Sequence, residues 1–290
     1  MAKKPPLMLG PVAVVPAGED APARGAYLLW GPSGIGKSTF AATAPGDKLW
    51  LSFGDNEHTS VMRRKDVHVA KLYDLSIEEL FKHVQNDNPL GLDQMLAENH
   101  NITTVVCDSL TALSFRALQK AIKDGIGASR TFKPSIEAPG ISAYGARNGI
   151  VLEIMTGLLR VTAKHNVHII FTAHEADPIM RNENGADIID YIGVQLGGQL
   201  VNNTTWRLSE IWYLSQSETG EKNRRIAIRP TRKRRPMKTR MFVSNGVAEF
   251  DVAYDPYKPD EAKGQMTIAQ WSAAWLDSGG EPQPIPVIRK

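Results

Sequence analysis

The sequence predicts an α/β fold, with a mostly parallel central sheet flanked by helices and an antiparallel C-terminal extension. Three observations predict it. From Gly25 onward, short apolar runs alternate with helical segments, the signature of parallel strands joined by crossover helices. The stretch "GPSGIGKST" (31–39) lies between an apolar run and a helix start, as a strand–loop–helix unit requires. After residue 200 the rhythm changes to strand-like runs, one of them interrupted by an Asn245-Gly246 hairpin turn.

In chain order, residues 1–24 are rich in Pro, Gly and Ala and read as an N-terminal arm. The arm begins basic and then apolar, faintly like a signal peptide, but Pro and Gly break the apolar part. Residues 25–250 read as the core and 251–290 as a C-terminal extension and tail. "AYLLW" (26–30), "KLWLSF" (48–53), "ITTVVCD" (102–108) and "NVHIIFTA" (166–173) are compact enough to be buried strands. Ser76 and Glu79 stand at capping-box spacing and predict a helix start. "IVLEIMTGLLRVTAKH" (150–165) puts Val151, Ile154, Met155, Leu158 and Leu159 on one helical face, which assigns them to the core. "TTWRLSEIWYL", "RRIAIRPT" and "RMFVSNGVAEFDV" read as strands, and "TIAQWSAAWLDSGG" as a helix capped by Thr267 and Gln270. Trp271 and Trp275, one turn apart on it, read as packing residues. Segments 124–148 and 175–200 fit neither strand nor helix and read as long loops, which in a compact domain are usually functional or disordered.

The chain has 290 residues, enough for a large core, and a net charge of only +3. Its single cysteine, Cys107, excludes an internal disulfide and a thiolate metal cluster and fits a reducing cytoplasm. No apolar run approaches the roughly 20 residues a membrane span needs. The charge is unevenly placed. "RPTRKRRPMKTR" (229–240) carries seven Lys or Arg in twelve positions and no acid. A solvated loop, a localisation signal and a device that meets phosphate are all open readings of such a run.

Residues 31–39 satisfy G-x-x-x-x-G-K-[ST] in full. Gly31, Pro32, Ser33, Gly34, Ile35 and Gly36 would wrap backbone N–H groups around phosphates, followed by Lys37, Ser38 and Thr39 at a helix start. Lys37 would reach the β and γ phosphates and the Ser38 hydroxyl would ligate Mg²⁺. The site predicted is one for a nucleoside triphosphate. Asp108 ends an apolar run, where a buried strand delivers a carboxylate to the ligand-binding edge of the sheet and supplies a second metal ligand. Asp55 and Glu57 follow the second strand, and a carboxylate there can face the γ-phosphate and polarise a water.

"GPSGIGKST", "DNEH" and "VVCDSLTAL", in that order, resemble the core of the RecA family. "HIIFTAHEAD", "GGQLVNNTTWRLSEIWYL" and "RRIAIRPTRKRRPMKTRMF" continue the resemblance over roughly residues 25–250. It implies that Glu57 is the hydrolytic base and that Asp108 ends the metal-binding strand. It sets His174 where the family has a sensor glutamine, a departure that puts nucleotide–DNA coupling in question. Arg229 and Arg232 stand where the family carries cations that reach the neighbouring subunit's nucleotide. With so short an N-terminal arm, the chain is most similar to the core-only RecA-like ATPases of phages, which promote single-strand annealing and recombination. The resemblance further implies ATP and Mg²⁺, single-stranded DNA, self-association as a ring or filament, a single-stranded DNA-binding protein as a further partner, and the cytoplasm of a bacterial host.

On this reading Lys233, Arg234, Arg235, Lys238 and Arg240 add to the DNA-facing potential. Arg130 and Arg147, with Tyr144, are either DNA contacts or ordinary loop content. The seven histidines lack the close spacing that zinc ligation favours. Two other functions stay open: a P-loop kinase of small metabolites, with Arg130 and Arg147 in a lid, and a DNA-binding module that uses nucleotide without significant turnover.

Overall fold

The computed structural model describes residues 7–9, 12–14, 24–84, 91–183, 186–217, 223–231, 233–243, 247–253 and 266–285. Strands β1 (Leu7–Leu9) and β2 (Val12–Val14) pair antiparallel within the arm. β3 (Ala26–Gly31) leads through the glycine-rich loop into α1 (Lys37–Ala41). β4 (Asp47–Ser52), a 3₁₀ turn at Glu57–Val61 and β5 (Val67–Lys71) come next. Then follow α2 (Ile77–Val84), α3 (Leu92–Glu98), β6 (Ile102–Asp108), α4 (Leu110–Lys123), α5 (Gly140–Lys164) and β7 (His168–His174). β8 (Ile179–Glu183) and β9 (Ala186–Tyr191) form an antiparallel pair. The rest comprises α6 (Gly198–Thr205), β10 (Glu210–Gln216), β11 (Asn223–Ala227), β12 (Phe242–Val243), β13 (Glu249–Ala253), α7 (Ile268–Asp277) and β14 (Gln283–Pro284).

Eight strands make the central sheet, in the order β13-β11-β10-β3-β7-β6-β4-β5. The six from β10 to β5 run parallel, and β11 and β13 join antiparallel at one edge. The α/β architecture with a mostly parallel sheet is the one the sequence predicts. Alternation along each strand divides the core. Leu28, Trp30, Val105 and Phe171 face α2, α3, α4 and α5, whereas Tyr27, Leu29, Val106 and Ile170 face α1 and α7. Both faces are covered, so the central strands are predominantly apolar on both sides, with a few buried polar residues such as Thr104 and Thr172 among them.

Local expectations hold where the signal is chemical. Ser76 and Glu79 exchange reciprocal bonds, Ser76 N–H to Glu79 Oε2 at 2.6 Å and Glu79 N–H to Ser76 Oγ at 3.2 Å. Thr267 and Gln270 form the second capping box. Trp271 packs against Phe40, Trp212, Phe242 and Phe250.

The two long loops need correction. α5 starts at Gly140, so the first loop ends there. Its early glycines, Gly140, Gly145 and Gly149, lower helix propensity, while the buried Ala143, Arg147 and Val151 continue the same face. Segment 175–200 holds the β8–β9 pair and the start of α6. "TTWRLSEIWYL" divides in the same way, since its strand begins only at Glu210. Asn245 and Gly246 lie outside the described residues, but the strands on either side of them do not form the expected hairpin: β12 pairs with β14 and β13 with β11, in separate sheets.

Candidate functional site

The parallel topology brings the C-terminal ends of β3, β4, β6 and β7 to one edge of the sheet, and the predicted residues collect there. Gly31 closes β3 in register with His174 on β7. Its φ is +152°, and an added Cβ would lie 2.2 Å from the Leu214 carbonyl oxygen, so only glycine fits. Gly34 (φ +74°) faces open space and Gly36 (φ +94°) begins α1. Five residues is too short a helix for a strong macrodipole, so backbone amides and Lys37 carry the attraction for anions.

Lys37 is buried, with Nζ donating to the loop's own carbonyls, Pro32 at 2.7 Å and Gly31 at 3.1 Å. His174 Nδ1 lies 3.4 Å from the same nitrogen. Burial lowers the Lys37 pKa to about 8, against the opposing pull of Asp108, Glu175 and Glu57. Burial and the Lys37 charge also lower that of His174.

Asp108 ends β6, 3% exposed. It accepts from Ser38 Oγ at 2.8 Å and from the Thr172 hydroxyl. Burial and the Glu57 charge raise its pKa to about 6, with those two hydrogen bonds and Lys37 opposing. The Ser38 hydroxyl and Asp108 carboxylate are two hard oxygens at the mouth of the loop. That set suits Mg²⁺, which takes one or two protein oxygens and completes its shell with water and substrate phosphates. Among the described residues there is no cluster of three His, Cys, Asp or Glu that could hold a metal alone.

Glu57 opens the 3₁₀ turn after β4. Its Oε1 accepts from Ser109 Oγ at 2.6 Å and its Oε2 from Gly54 N–H at 3.0 Å, which turns the carboxylate toward Asp108. Asp55 is exposed. His58 is buried, 3.3 Å from Ser52 Oγ and stacked on Tyr73, and it anchors this turn to β4.

A nucleotide-type loop, a paired hydroxyl and carboxylate, and a second carboxylate thus share one sheet edge. The model of a family described as "AAA domain" matches residues 24–241, well over half of the chain. The chain belongs to the AAA domain family. Membership makes it an ATPase-type domain, built for nucleotide binding and hydrolysis. No curated protein matches the chain.

The basic residues of this AAA domain are distributed over several surfaces. Arg234 lies over the Tyr213 ring at 4.9 Å and Arg235 over Tyr191 at 4.7 Å. Lys233 is exposed, and its carbonyl accepts from Ile192 N–H at 2.7 Å. Lys238 and Arg240 sit at the start of β10: Lys238 Nζ donates to the Thr205 carbonyl at 3.3 Å and Arg240 N–H to Glu210 at 2.8 Å. Arg130 is exposed. Arg147 is turned inward, 8% exposed, with its guanidinium on Asn148 and the Tyr144 ring. Arg229 is exposed, and Arg232 lies outside the described residues. No described helix is long and apolar enough to cross a membrane.

Sequence reasoning missed the partners that orient the site. Ser109 and Thr172 hold the two carboxylates, Thr111 Oγ1 accepts from His174 N–H at 3.0 Å, and the Tyr213 hydroxyl donates to Glu175 at 3.0 Å. Ser109 and Thr111 stand next to the Asp108 motif and could have been found from it. Thr172 and Tyr213 carry no local signal.

Proposed function

We propose that this chain is a RecA-like ATPase that acts on single-stranded DNA in recombination or annealing, is phage-encoded, and works as a ring or filament. The observation that carries the reading is the Glu57 carboxylate, held by Ser109 beside the Ser38–Asp108 pair. A base in that place polarises a water toward the terminal phosphate. Lys37 exchanges its loop carbonyls for β and γ phosphate oxygens, and anionic phosphate favours its charged form. Ser38 and Asp108 are the residues that would hold Mg²⁺, which when bound neutralises charge developing on the phosphates. His174 donates toward the same end of the substrate.

The DNA part of the reading is supported by how the basic segment is tied to the site. Gln195 N–H donates to the His174 carbonyl at 2.8 Å, and Ile192 exchanges backbone bonds with the basic segment, its N–H donating to the Lys233 carbonyl at 2.7 Å and its carbonyl accepting from Arg235 N–H at 3.3 Å. Cations and the terminal-phosphate end therefore share one short hydrogen-bonded ladder. Lys233 and Arg235, exposed beside the β8–β9 pair, are the strongest candidates for phosphate-backbone contact. Arg229 and Arg232 are assigned to the neighbouring subunit's nucleotide, and a single-stranded DNA-binding protein is the further expected partner.

Phosphate release measured with and without single-stranded DNA tests the proposal. Stimulation by DNA is expected. Phosphate transfer to a small acceptor would favour a metabolite kinase, and tight binding without turnover a binding module.

A further inference from the structure

Arg224 and Arg225 are adjacent on β11, and strand alternation sends them to opposite faces. Arg225 is paired with acids, Asp251 at 2.9 Å and Glu249 at 3.5 Å. Arg224 reaches the glycine-rich loop, where its Nε donates to the Ile35 carbonyl at 2.8 Å, across 189 positions of sequence. The topology makes this possible. β11 runs antiparallel to β10, so its first residues stand beside the last residues of β10, Arg224 opposite Gln216. They therefore lie at the edge where β3 enters the loop.

The carbonyl of Ile35 and the N–H of Gly36 belong to one planar trans peptide and point in opposite directions. A donor that fixes the carbonyl therefore fixes the amide. The Ile35 side chain is buried in the core with Phe40, which pins the same peptide from its other end. A guanidinium also keeps its charge at every working pH and adds positive potential beside the loop.

We propose that Arg224 is a nucleotide-positioning residue that acts within its own subunit: it sets the Ile35–Gly36 peptide so that the Gly36 amide meets the phosphates. The inference rests on reading 31–39 as the phosphate cradle. It separates Arg224 from the neighbouring cations assigned to DNA or to a second subunit.

The test is affinity for fluorescent ATP and ADP, with melting curves taken with and without nucleotide, for Arg224→Ala, Arg224→Lys, Arg225→Ala and Lys37→Ala. Arg224→Ala should melt as wild type when free, bind both nucleotides about tenfold more weakly, as for loss of one charge-assisted hydrogen bond, and lose its nucleotide-induced melting shift. Arg224→Lys, with the charge but not the planar fork, should fall between, and Arg225→Ala should bind normally. Should Arg224→Ala fail to fold, Arg224→Lys carries the test: a free-form melt like wild type with weakened affinity supports the role. Wild-type affinity in the Arg224 variants, with Lys37→Ala weakened, overturns this proposal alone. Wild-type affinity in Lys37→Ala as well overturns the cradle itself.

Discussion

Ser109 donates its hydroxyl to Glu57 Oε1 at 2.6 Å, so the residue after the β6 carboxylate holds the acid that follows β4. A glutamine at 57 keeps an acceptor for Ser109 but cannot take a proton from water. Glu57→Gln should bind nucleotide as wild type and hydrolyse it roughly 10²–10⁴-fold more slowly, the usual worth of a general base. Equal loss of binding and turnover would make Glu57 structural.

Lys37→Ala deletes the one buried cation among the loop carbonyls. Turnover should fall to background and nucleotide-induced thermal stabilisation should disappear. Normal hydrolysis by this variant would remove the phosphate cradle from the site.

Asp108→Asn keeps acceptors for Ser38 and Thr172 but lowers the charge of the predicted metal pair. A magnesium titration of ATPase activity should shift to higher concentrations, while binding of nucleotide in chelator changes little. An unshifted titration would count against the metal role of Asp108.

Asp66 offers a pH-dependent test of stability. It accepts from Lys48 Nζ and Arg64 Nη2, each at 2.6 Å. Burial pushes its pKa up, but the hydrogen bonds and charges of Arg64 and Lys48 prevail and bring it to about 2. A folded-state value below the unfolded one means stabilisation that is complete above about pH 4 and lost as pH falls toward 2. Asp66→Asn should therefore lower the urea midpoint at pH 7, and the gap to wild type should close between pH 4 and pH 2. A gap that stays constant to the acid end would refute the ion cluster.

Arg229 and Arg232 are tested by mixing. The double alanine variant should bind nucleotide without turning it over, and adding Lys37→Ala protein, which keeps both arginines, should restore activity. An arginine finger of this kind is worth on the order of 10³-fold or more in rate. If mixing restores nothing while DNA affinity collapses, the two arginines contact DNA within their own subunit.

How far the sequence was legible follows the range of each signal. The β3–loop–α1 unit, the strand ending in Asp108 and both capping boxes are written in contiguous residues, and all are present. The start of α5 was hidden because Gly140, Gly145 and Gly149 argue locally for a loop while packing of Ala143 and Arg147 decides for a helix. Thr172 reaches Asp108 from 64 positions away and Arg224 reaches Ile35 from 189, contacts that only the strand order creates. Arg147 reads from sequence as a loop cation, but its burial in α5, with the guanidinium on Asn148 and the Tyr144 ring, is visible only in the fold.

β3 is the first strand of the central sheet to leave the ribosome, yet its neighbours β7 and β10 are made much later. Gly25 bonds His168 across 143 positions and Ala26 bonds Ser209 across 183. At typical translation speeds of about 5–20 residues per second, the glycine-rich loop waits on the order of 10 s or longer for the second of these partners. The underside of α1 waits longer still, because Thr43 accepts from the Ile268 and Ala269 amides only when α7 exists. During synthesis the apolar β3 therefore stands without either of its sheet neighbours until β7 and then β10 have been made.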